Sequence, residues 1–322
     1  MKKQSGVSVR VVQVEDGEGE LVEYTTQAEV HEAIWNNIHR KRFYLAEEAP
    51  ICQYPLREEF GYNADSDVGE EVLEGRYHFG EDFEEHTREL LEEAAHTRSI
   101  IPKNSVDDII RSGSWGGFWS KAREETSSSE SGLTFSHYKA GARSKLITHF
   151  HATKLSVAIK TGVGLERWSR GLSVMLQKVP GCNLISKLRS ILLMGADFNC
   201  TNKIVFGNRM MANVRKYGFM PDEIFSEKYR TAEEGSLAKV LFYEVVRQSR
   251  LAAGISSVDA DNCYDRVSHA IASLVFRSFG VSQEASGAML RTIQRDNRNF
   301  IVHLMGPLGR RLLTLRLHSR HT

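Results

Sequence analysis

The sequence predicts a mixed α+β fold in which helices predominate. Apolar residues recur every three or four positions in several segments, which is the spacing of amphipathic helices. These segments are 21–45, 81–98, 232–250 and 265–280. Two short apolar runs, Ile191–Met194 and Ile255–Ala260, predict strands, and a helical pattern follows each of them. Helical patterns therefore outnumber strands, as in a predominantly helical α+β protein.

The composition is that of a globular protein. The 322 residues are 41% hydrophobic and 26% charged. No stretch approaches the roughly 18 apolar residues that a membrane-spanning helix needs, and the first residues, "MKKQSGVSVR", lack the apolar centre of a signal peptide. The four cysteines form no CxxC pair. We therefore expect reduced thiols, an intracellular location (nucleus and cytoplasm both stay open) and no membrane partner.

Acidic and basic residues are divided unequally along the chain. Residues 1–100 hold 10 Lys and Arg against 23 Asp and Glu, a net charge of −13. Residues 101–322 hold 32 against 18, a net charge of +14. We therefore predict an acidic helical N-terminal region, 1–100, and a basic region, 101–322, that favours a polyanionic partner. Two other interpretations stay open: an ordinary solvated surface, and a helical interaction protein built on the acidic region.

Several apolar residues are expected to face the core because they share one face of a helix or lie four apart within it. They are Ala33, Ile34 and Ile38; Phe83, Leu90, Leu91 and Ala94; Trp115 and Trp119; and Leu237, Val240, Leu241 and Val245. Gly280 is expected to end the helix of 265–280. His149 and His151 are candidate metal ligands, but without a nearby Cys or acid we expect them at the surface.

The stretch "VDADNCYDRVSH", Val258–His269, carries the clearest chemical pattern. It places Asp259 at the end of a predicted strand, and two-metal phosphoryl transfer needs carboxylates held rigidly beside the reacting oxygens. Asp259 would offer its carboxylate and Ala260 its backbone carbonyl to Mg²⁺, with Tyr264 beneath the incoming sugar. The structural alternative makes Asp265 a helix N-cap, Asp259 a turn residue and Tyr264 a core aromatic.

This stretch resembles motif A of reverse transcriptases, especially those of non-LTR (LINE-like) retrotransposons. The family pattern is an apolar residue, Asp, four residues, Phe or Tyr, Asp, and then a spaced Val and His. The similarity continues upstream in the family's order. "TSSSESGLTFSHYKA" (126–140) resembles the run before the fingers, "KLRSILLMGADFN" (187–199) the fingers strand with Ser190 in place of a usual Pro, "NKIVFGNRMM" (202–211) the next helix, and "PDEIFSEKYRTAEEG" (221–235) the segment after it. In the last segment Ile224 and Ser226 replace the usual Gln and Gly.

The resemblance covers about residues 100–295 and implies the partial fingers and palm of a right-hand polymerase, followed by a divergent tail at 305–322. Its implied reaction is RNA-directed DNA synthesis. The implied cofactor is Mg²⁺, and the implied partners are an RNA template, a DNA primer and deoxynucleoside triphosphates.

Individual roles are implied by position in the motif. Asp259 matches the catalytic metal ligand, and Ala260 matches the residue whose carbonyl helps to hold the metal. Tyr264 matches the steric gate that excludes a 2′-hydroxyl. Arg189 falls where a fingers arginine meets the triphosphate, with Lys187 beside it; the alternative for Arg189 is an ordinary solvated residue on a basic face.

The chain departs from the family after His269. The family's second signature is an aromatic–x–Asp–Asp hairpin that supplies the other metal carboxylates. No such tetrapeptide follows His269, and Asp296 is the only acidic residue after Glu284. We therefore expect a reverse transcriptase-related protein that is an inactive fragment in this form, through a frameshift or a misplaced gene boundary. The alternative is a non-catalytic nucleic-acid-binding remnant.

Overall fold

The structure, a computed structural model, describes residues 11–39, 41, 45–81, 83–124, 131–221, 230–256, 258–259, 263–296, 301–305 and 311–316. Helices predominate in these residues and two small sheets accompany them, which confirms the predicted mixed, predominantly helical class. No helix in these ranges is both long enough and apolar enough to cross a membrane.

The helices are mostly short and follow one another along the chain. They are α1 (Gln27–Ile34), α2 (Leu56–Phe60), α3 (Asp67–Leu73), α4 (Glu85–Ile100), α5 (Ser112–Lys121), α6 (Phe135–Gly141), α7 (Lys145–Lys160), α8 (Ala196–Asn202), α9 (Met211–Lys216), α10 (Ala232–Gln248), α11 (His269–Ser278) and α12 (Gln283–Asp296). Two π-helical turns, Trp35–His39 and Lys203–Met210, extend α1 and join α8 to α9. Short 3₁₀ turns lie at Leu45–Glu48, Pro50–Cys52, Glu166–Ser169, Ile185–Lys187 and Cys263–Arg266.

Side-chain caps start several of these helices. The Thr26 hydroxyl accepts a hydrogen bond from the amide of Glu29, whose carboxylate accepts one from the Thr26 amide in return. Ser144 caps α7, and Thr231 caps α10, in the same acceptor role. Such caps satisfy amides that have no partner within the helix, so they fix where each helix begins.

The strands form one hairpin and one four-stranded sheet. Strands β1 (Val12–Glu15) and β2 (Leu21–Tyr24) pair antiparallel. The larger sheet has the order β4-β3-β5-β6, with β3 (Leu172–Gln177), β4 (Leu188–Leu193), β5 (Ile301–Met305) and β6 (Arg311–Arg316). β3 pairs antiparallel with β4 and parallel with β5. The strand predicted at Ile191–Met194 is therefore confirmed except at Met194, because β4 ends at Leu193.

The main hydrophobic core is built around three tryptophans. Trp115 and Trp119 of α5 are fully buried, as predicted, and they pack with Leu155 of α7. Trp168 and Val205 belong to the same cluster. This core holds α5, α7 and the α8–α9 helix as one packed group.

A second core joins segments that are distant in sequence. Phe60 and Leu73 pack with Leu91 of α4, and Ala270 and Leu274 of α11 complete the same cluster. Residues on both sides of position 100 therefore share one buried surface.

The inward-facing predictions are confirmed for some helices and wrong for others. Ala33, Ile34 and Ile38 are buried, as are Leu91 and Ala94, but Leu90 is exposed. The predicted inward face of α10 is wrong, because Leu237, Val240, Leu241 and Val245 are all more than half exposed. The helix itself forms where its apolar spacing predicts it, but none of its described residues is buried.

The predicted strand at Ile255–Ala260 is also wrong. Ile255, Ser256, Val258 and Asp259 have no strand structure, and Ala260 lies outside the described residues. A strand needs a hydrogen-bonded neighbour, and the edge of β3 that faces away from β4 is taken by β5. Val258 is accordingly 90% exposed.

Candidate nucleic-acid interface

The β3–β4 hairpin, residues 172–193, presents a basic surface on a rigid support. Its register places Leu176 opposite Arg189 and Gln177 opposite Leu188. Beyond the last pair, the Lys178 amide donates to the Lys187 carbonyl at 2.8 Å, which continues the ladder by one step. The backbone at these positions is therefore held by the sheet.

The underside of the hairpin is buried. Met175, Ile185 and Leu188 pack in one cluster with Val12 of β1 and Ile34 of α1. The Gln13 amide also donates to the Asn183 carbonyl at 3.0 Å. Since side chains alternate between the two faces of a strand, burial of Leu188 turns Arg189 toward solvent, and Arg189 is exposed.

The charges of the hairpin all have one sign. From Gly171 to Ala196 the sequence contains no Asp or Glu, and its cations are Lys178, Lys187 and Arg189. All three are exposed. No ion pair or side-chain hydrogen bond of Arg189 is found within the described ranges, so its guanidinium faces solvent. A hairpin that carries cations and no carboxylate of its own attracts anions.

A buried carboxylate fixes the junction between β4 and α8. Asp197 is 1% exposed, and its Oδ1 accepts a hydrogen bond from Trp168 Nε1 at 2.8 Å. Arg167 donates to Oδ2, and Lys154 Nζ lies 3.9 Å from the same oxygen. Buried charges are tolerated when they are paired and hydrogen-bonded in this way. The network anchors the helix that follows the hairpin to the 3₁₀ turn that precedes it.

Two basic groups of α7 have shifted pKa values: Lys154, which lies near this carboxylate, and His151, which lies beside Lys154. Burial, together with the charge of Arg167, lowers the pKa of Lys154 to about 8. Burial lowers the pKa of His151 to about 4, and the charges of Lys154 and Arg167 add to the effect. His149 is exposed as predicted, whereas His151 is half-buried with its ring stacked on Trp115. Sequence reasoning missed this network, because nothing in the local pattern of "GADF" distinguishes a buried aspartate from an exposed one.

The motif A residues are placed only in part. Asp259 is exposed in an irregular segment, Ala260 lies outside the described residues, and the backbone of Tyr264 lies in the 3₁₀ turn Cys263–Arg266. Nothing is described of the Tyr264 side chain. No hydrogen bond or ion pair of Asp259 occurs in the described part of the chain, so Asp259 and Arg189 are not brought into contact there.

His269, the last residue of the motif, begins α11. Burial lowers the pKa of its imidazole. The preceding Ser268 is buried, and its hydroxyl lies 3.2 Å from Cys52 Sγ. This end of the motif therefore packs against the residues that precede α2.

The described donor groups decide whether the structure contains a metal centre. No group of three or more His, Cys, Asp or Glu side chains that could hold a metal ion occurs among them. These residues do not form the centre that two-metal phosphoryl transfer requires.

No protein-family model matches the chain, and no curated protein matches it. The resemblance to reverse transcriptases therefore stays a prediction drawn from the residues.

Proposed function

We propose that this chain is a reverse transcriptase-related protein that binds nucleic acid through the β3–β4 hairpin. The observation that carries the proposal is the acid-free hairpin itself, whose underside is buried and whose three cations are exposed. The resemblance places Lys187 and Arg189 in the fingers strand, where Arg189 matches the arginine that meets the triphosphate. The implied partners remain an RNA template, a DNA primer and deoxynucleoside triphosphates.

Binding of this type is driven mainly by the phosphate backbone. Each Lys or Arg that neutralises a phosphate releases condensed counterions, so the affinity falls as salt rises. The expected slope of log K against log salt is about −0.9 for each phosphate contact on a duplex. Contacts to phosphate carry no sequence information, and we therefore expect little sequence preference.

The test compares two triple variants that remove the same charge. Lys178→Gln, Lys187→Gln and Arg189→Gln together remove the hairpin cations. Lys121→Gln, Lys145→Gln and Lys160→Gln remove three exposed cations from α5 and α7. Binding of a fluorescent RNA–DNA primer–template is measured by anisotropy at about 50 and 200 mM salt.

We expect the hairpin variant to bind at least ten-fold more weakly at low salt and to lose about two to three units of salt slope. The variant in α5 and α7 should bind with nearly the affinity and salt dependence of the unmodified protein. Equal weakening in both variants would show that net charge alone governs binding, and would contradict the hairpin as the interface.

Polymerisation is not expected of these 322 residues. The resemblance supplies one metal carboxylate, Asp259, and the sequence after His269 contains no aromatic–x–Asp–Asp. We expect no primer extension with Mg²⁺ or Mn²⁺ on a primed RNA template. Extension that disappears in Asp259→Ala would contradict this expectation, whereas extension that survives the substitution would indicate a co-purified polymerase.

A further inference from the structure

A group of basic side chains lies where α3, α4 and α11 meet. Arg98, in the last turn of α4, and Arg277, near the end of α11, have side chains that are 8% and 3% exposed. Lys103 lies beside them and is 57% exposed. One carboxylate, that of Glu70 on α3, faces all three cations.

Glu70 satisfies two of these cations and leaves the third poorly paired. Its Oε2 accepts a hydrogen bond from Arg277 Nη2 at 2.6 Å, and its Oε1 accepts one from Lys103. Arg277 also donates through Nη1 to the carbonyl of Ala64 at 2.5 Å. By contrast, Arg98 Nη2 lies 3.8 Å from Glu70 Oε1, which is beyond hydrogen-bond length.

Arg98 therefore carries a buried donor without a partner. Its Nη1 is buried, and no described residue accepts a hydrogen bond from it. An arginine does not release its proton in proteins, so the charge persists and the unpaired donor destabilises the folded state. Glu74, the other carboxylate that acts on Arg98, is bound by Arg76.

We propose that Arg98, Lys103 and Arg277 form a binding site for a small phosphate-type oxyanion. Three cations around one carboxylate leave an excess of two positive charges, which matches a phosphate dianion. The planar fork of a guanidinium donates two parallel hydrogen bonds to such an anion, and this would satisfy the unpaired donor of Arg98. Lys103, whose side chain is 57% exposed and donates to Glu70, is the member of the group that solvent reaches.

The depth of the site indicates which source of phosphate it accepts. The Arg98 side chain is 8% exposed, so a free anion reaches it more readily than a phosphate within a nucleic-acid backbone. The site is separate from the hairpin of the proposed function, and it can fail or hold independently of that proposal.

The experiment measures the thermal unfolding temperature of the full chain in sodium phosphate and in sodium chloride at equal ionic strength. Phosphate should raise the unfolding temperature by roughly 2–4 °C once the phosphate concentration exceeds the Kd several-fold. Arg98→Met should remove this shift while leaving the protein at least as stable in chloride, because it replaces a buried guanidinium, which has an unbonded donor and only a long ion pair, with an apolar chain of similar length. Arg88→Met is the matched control: Arg88 lies on the same helix, is exposed and pairs with Glu92, so the shift should remain.

The outcomes separate cleanly. A phosphate shift that persists in Arg98→Met overturns the proposal, as does the absence of both a shift and a calorimetric binding heat in the unmodified protein. If Arg98→Met fails to fold, Lys103→Gln tests the proposal instead, because Lys103 is exposed. Its phosphate affinity should fall several-fold, and an unchanged affinity overturns the proposal. A short DNA oligonucleotide at the same phosphate concentration should give no Arg98-dependent shift of the unfolding temperature. If the oligonucleotide gives such a shift and inorganic phosphate gives none, the proposal is also overturned.

Discussion

Two histidines that lie two positions apart in α7 have different surroundings. His149 is exposed, whereas the ring of His151 lies parallel to Trp115 with centroids 5.1 Å apart. Lys154 Nζ is 3.2 Å from His151 Nδ1. A proton on His151 would therefore be placed in a partly buried site beside a cation, and the pKa of His151 is lowered to about 4.

This lowered pKa predicts that His151 contributes to acid sensitivity. Between the unfolded value near 6.5 and the folded value near 4, the unfolded chain binds a proton that the folded chain does not. The free energy of unfolding therefore falls as pH drops through this window. His151→Gln should flatten the dependence of the unfolding temperature on pH between about 6.5 and 4.

His149→Gln is the control for this prediction, because it removes an exposed histidine from the same helix. It should leave the slope unchanged. Burial also lowers the pKa values of His31 and His269, so some slope should remain in His151→Gln. Equal slopes in His151→Gln and the unmodified protein would contradict the assignment.

Predictions for single residues succeeded where the side chain's own size and polarity decide whether it is buried. Trp115 and Trp119 are so large and apolar that their spacing in a helix is enough to place them in the core. Asp197 could not be found in this way. Its burial depends on Arg167, Trp168 and Lys154, which lie 29 to 43 positions away in the sequence and meet it only in the folded chain.

At the scale of elements, two glycines that end helices provide a matched pair. Gly75 follows α3 with φ +68°, and Gly280 follows α11 with φ +87°. A Cβ added at Gly75 would meet nothing within 4 Å. At Gly280 it would collide with the Ser105 hydroxyl and lie 2.9 Å from Asn213 Nδ2.

These surroundings predict different costs for the same substitution. Gly75→Ala should lower the free energy of unfolding by about 1–2 kcal/mol, the cost of a left-handed backbone at alanine. Gly280→Ala should cost more than this, because Ser105 and Asn213 must also move; Asn213 Nδ2 donates to the Phe279 carbonyl at 2.9 Å. Urea unfolding of both variants measures the difference. Equal costs would show that the contacts at Gly280 relax freely.

Elements defined by local signals were predictable, and those that depend on neighbours were not. Gly280 ends α11 as its sequence position indicates, and β4 forms at the predicted apolar run. The segment at Ile255 has strand-like residues but pairs with no strand in the described part of the chain. Helix α10 has an amphipathic pattern, but a pattern states which face is apolar and does not state what covers it.

Some features of the candidate site could likewise be predicted from the sequence, and others could not. The exposed position of Arg189 follows from strand alternation and could be anticipated from the sequence. The relation between Arg189 and Asp259 could not, because it depends on how far-separated segments pack. The hairpin's buried underside was likewise missed, since it requires residues near Val12 and Ile34 that no local pattern connects to β4.

At the scale of the whole molecule, the cluster shared by Leu91 and Leu274 links the acidic and basic regions. We predict that in a protein beginning at residue 101, α11 lacks the apolar residues that pack against it. In a protein beginning at residue 45 these residues remain. Hydrogen exchange of the α11 amides measures this directly. Protection should persist in the 45–322 protein and fall in the 101–322 protein. Equal protection in both would show that α11 is held by the basic region alone.

The two halves of this cluster are synthesised at different times, which has a consequence for the chain while it is still on the ribosome. Leu91 leaves the exit tunnel roughly 180 residues before Leu274, and at about 5–20 residues per second this interval is on the order of 10–40 s. Throughout it, the apolar residues around Phe60 and Leu91 lack the part of their cover that Ala270 and Leu274 supply. The nascent chain therefore offers chaperones a hydrophobic surface that closes only when α11 emerges.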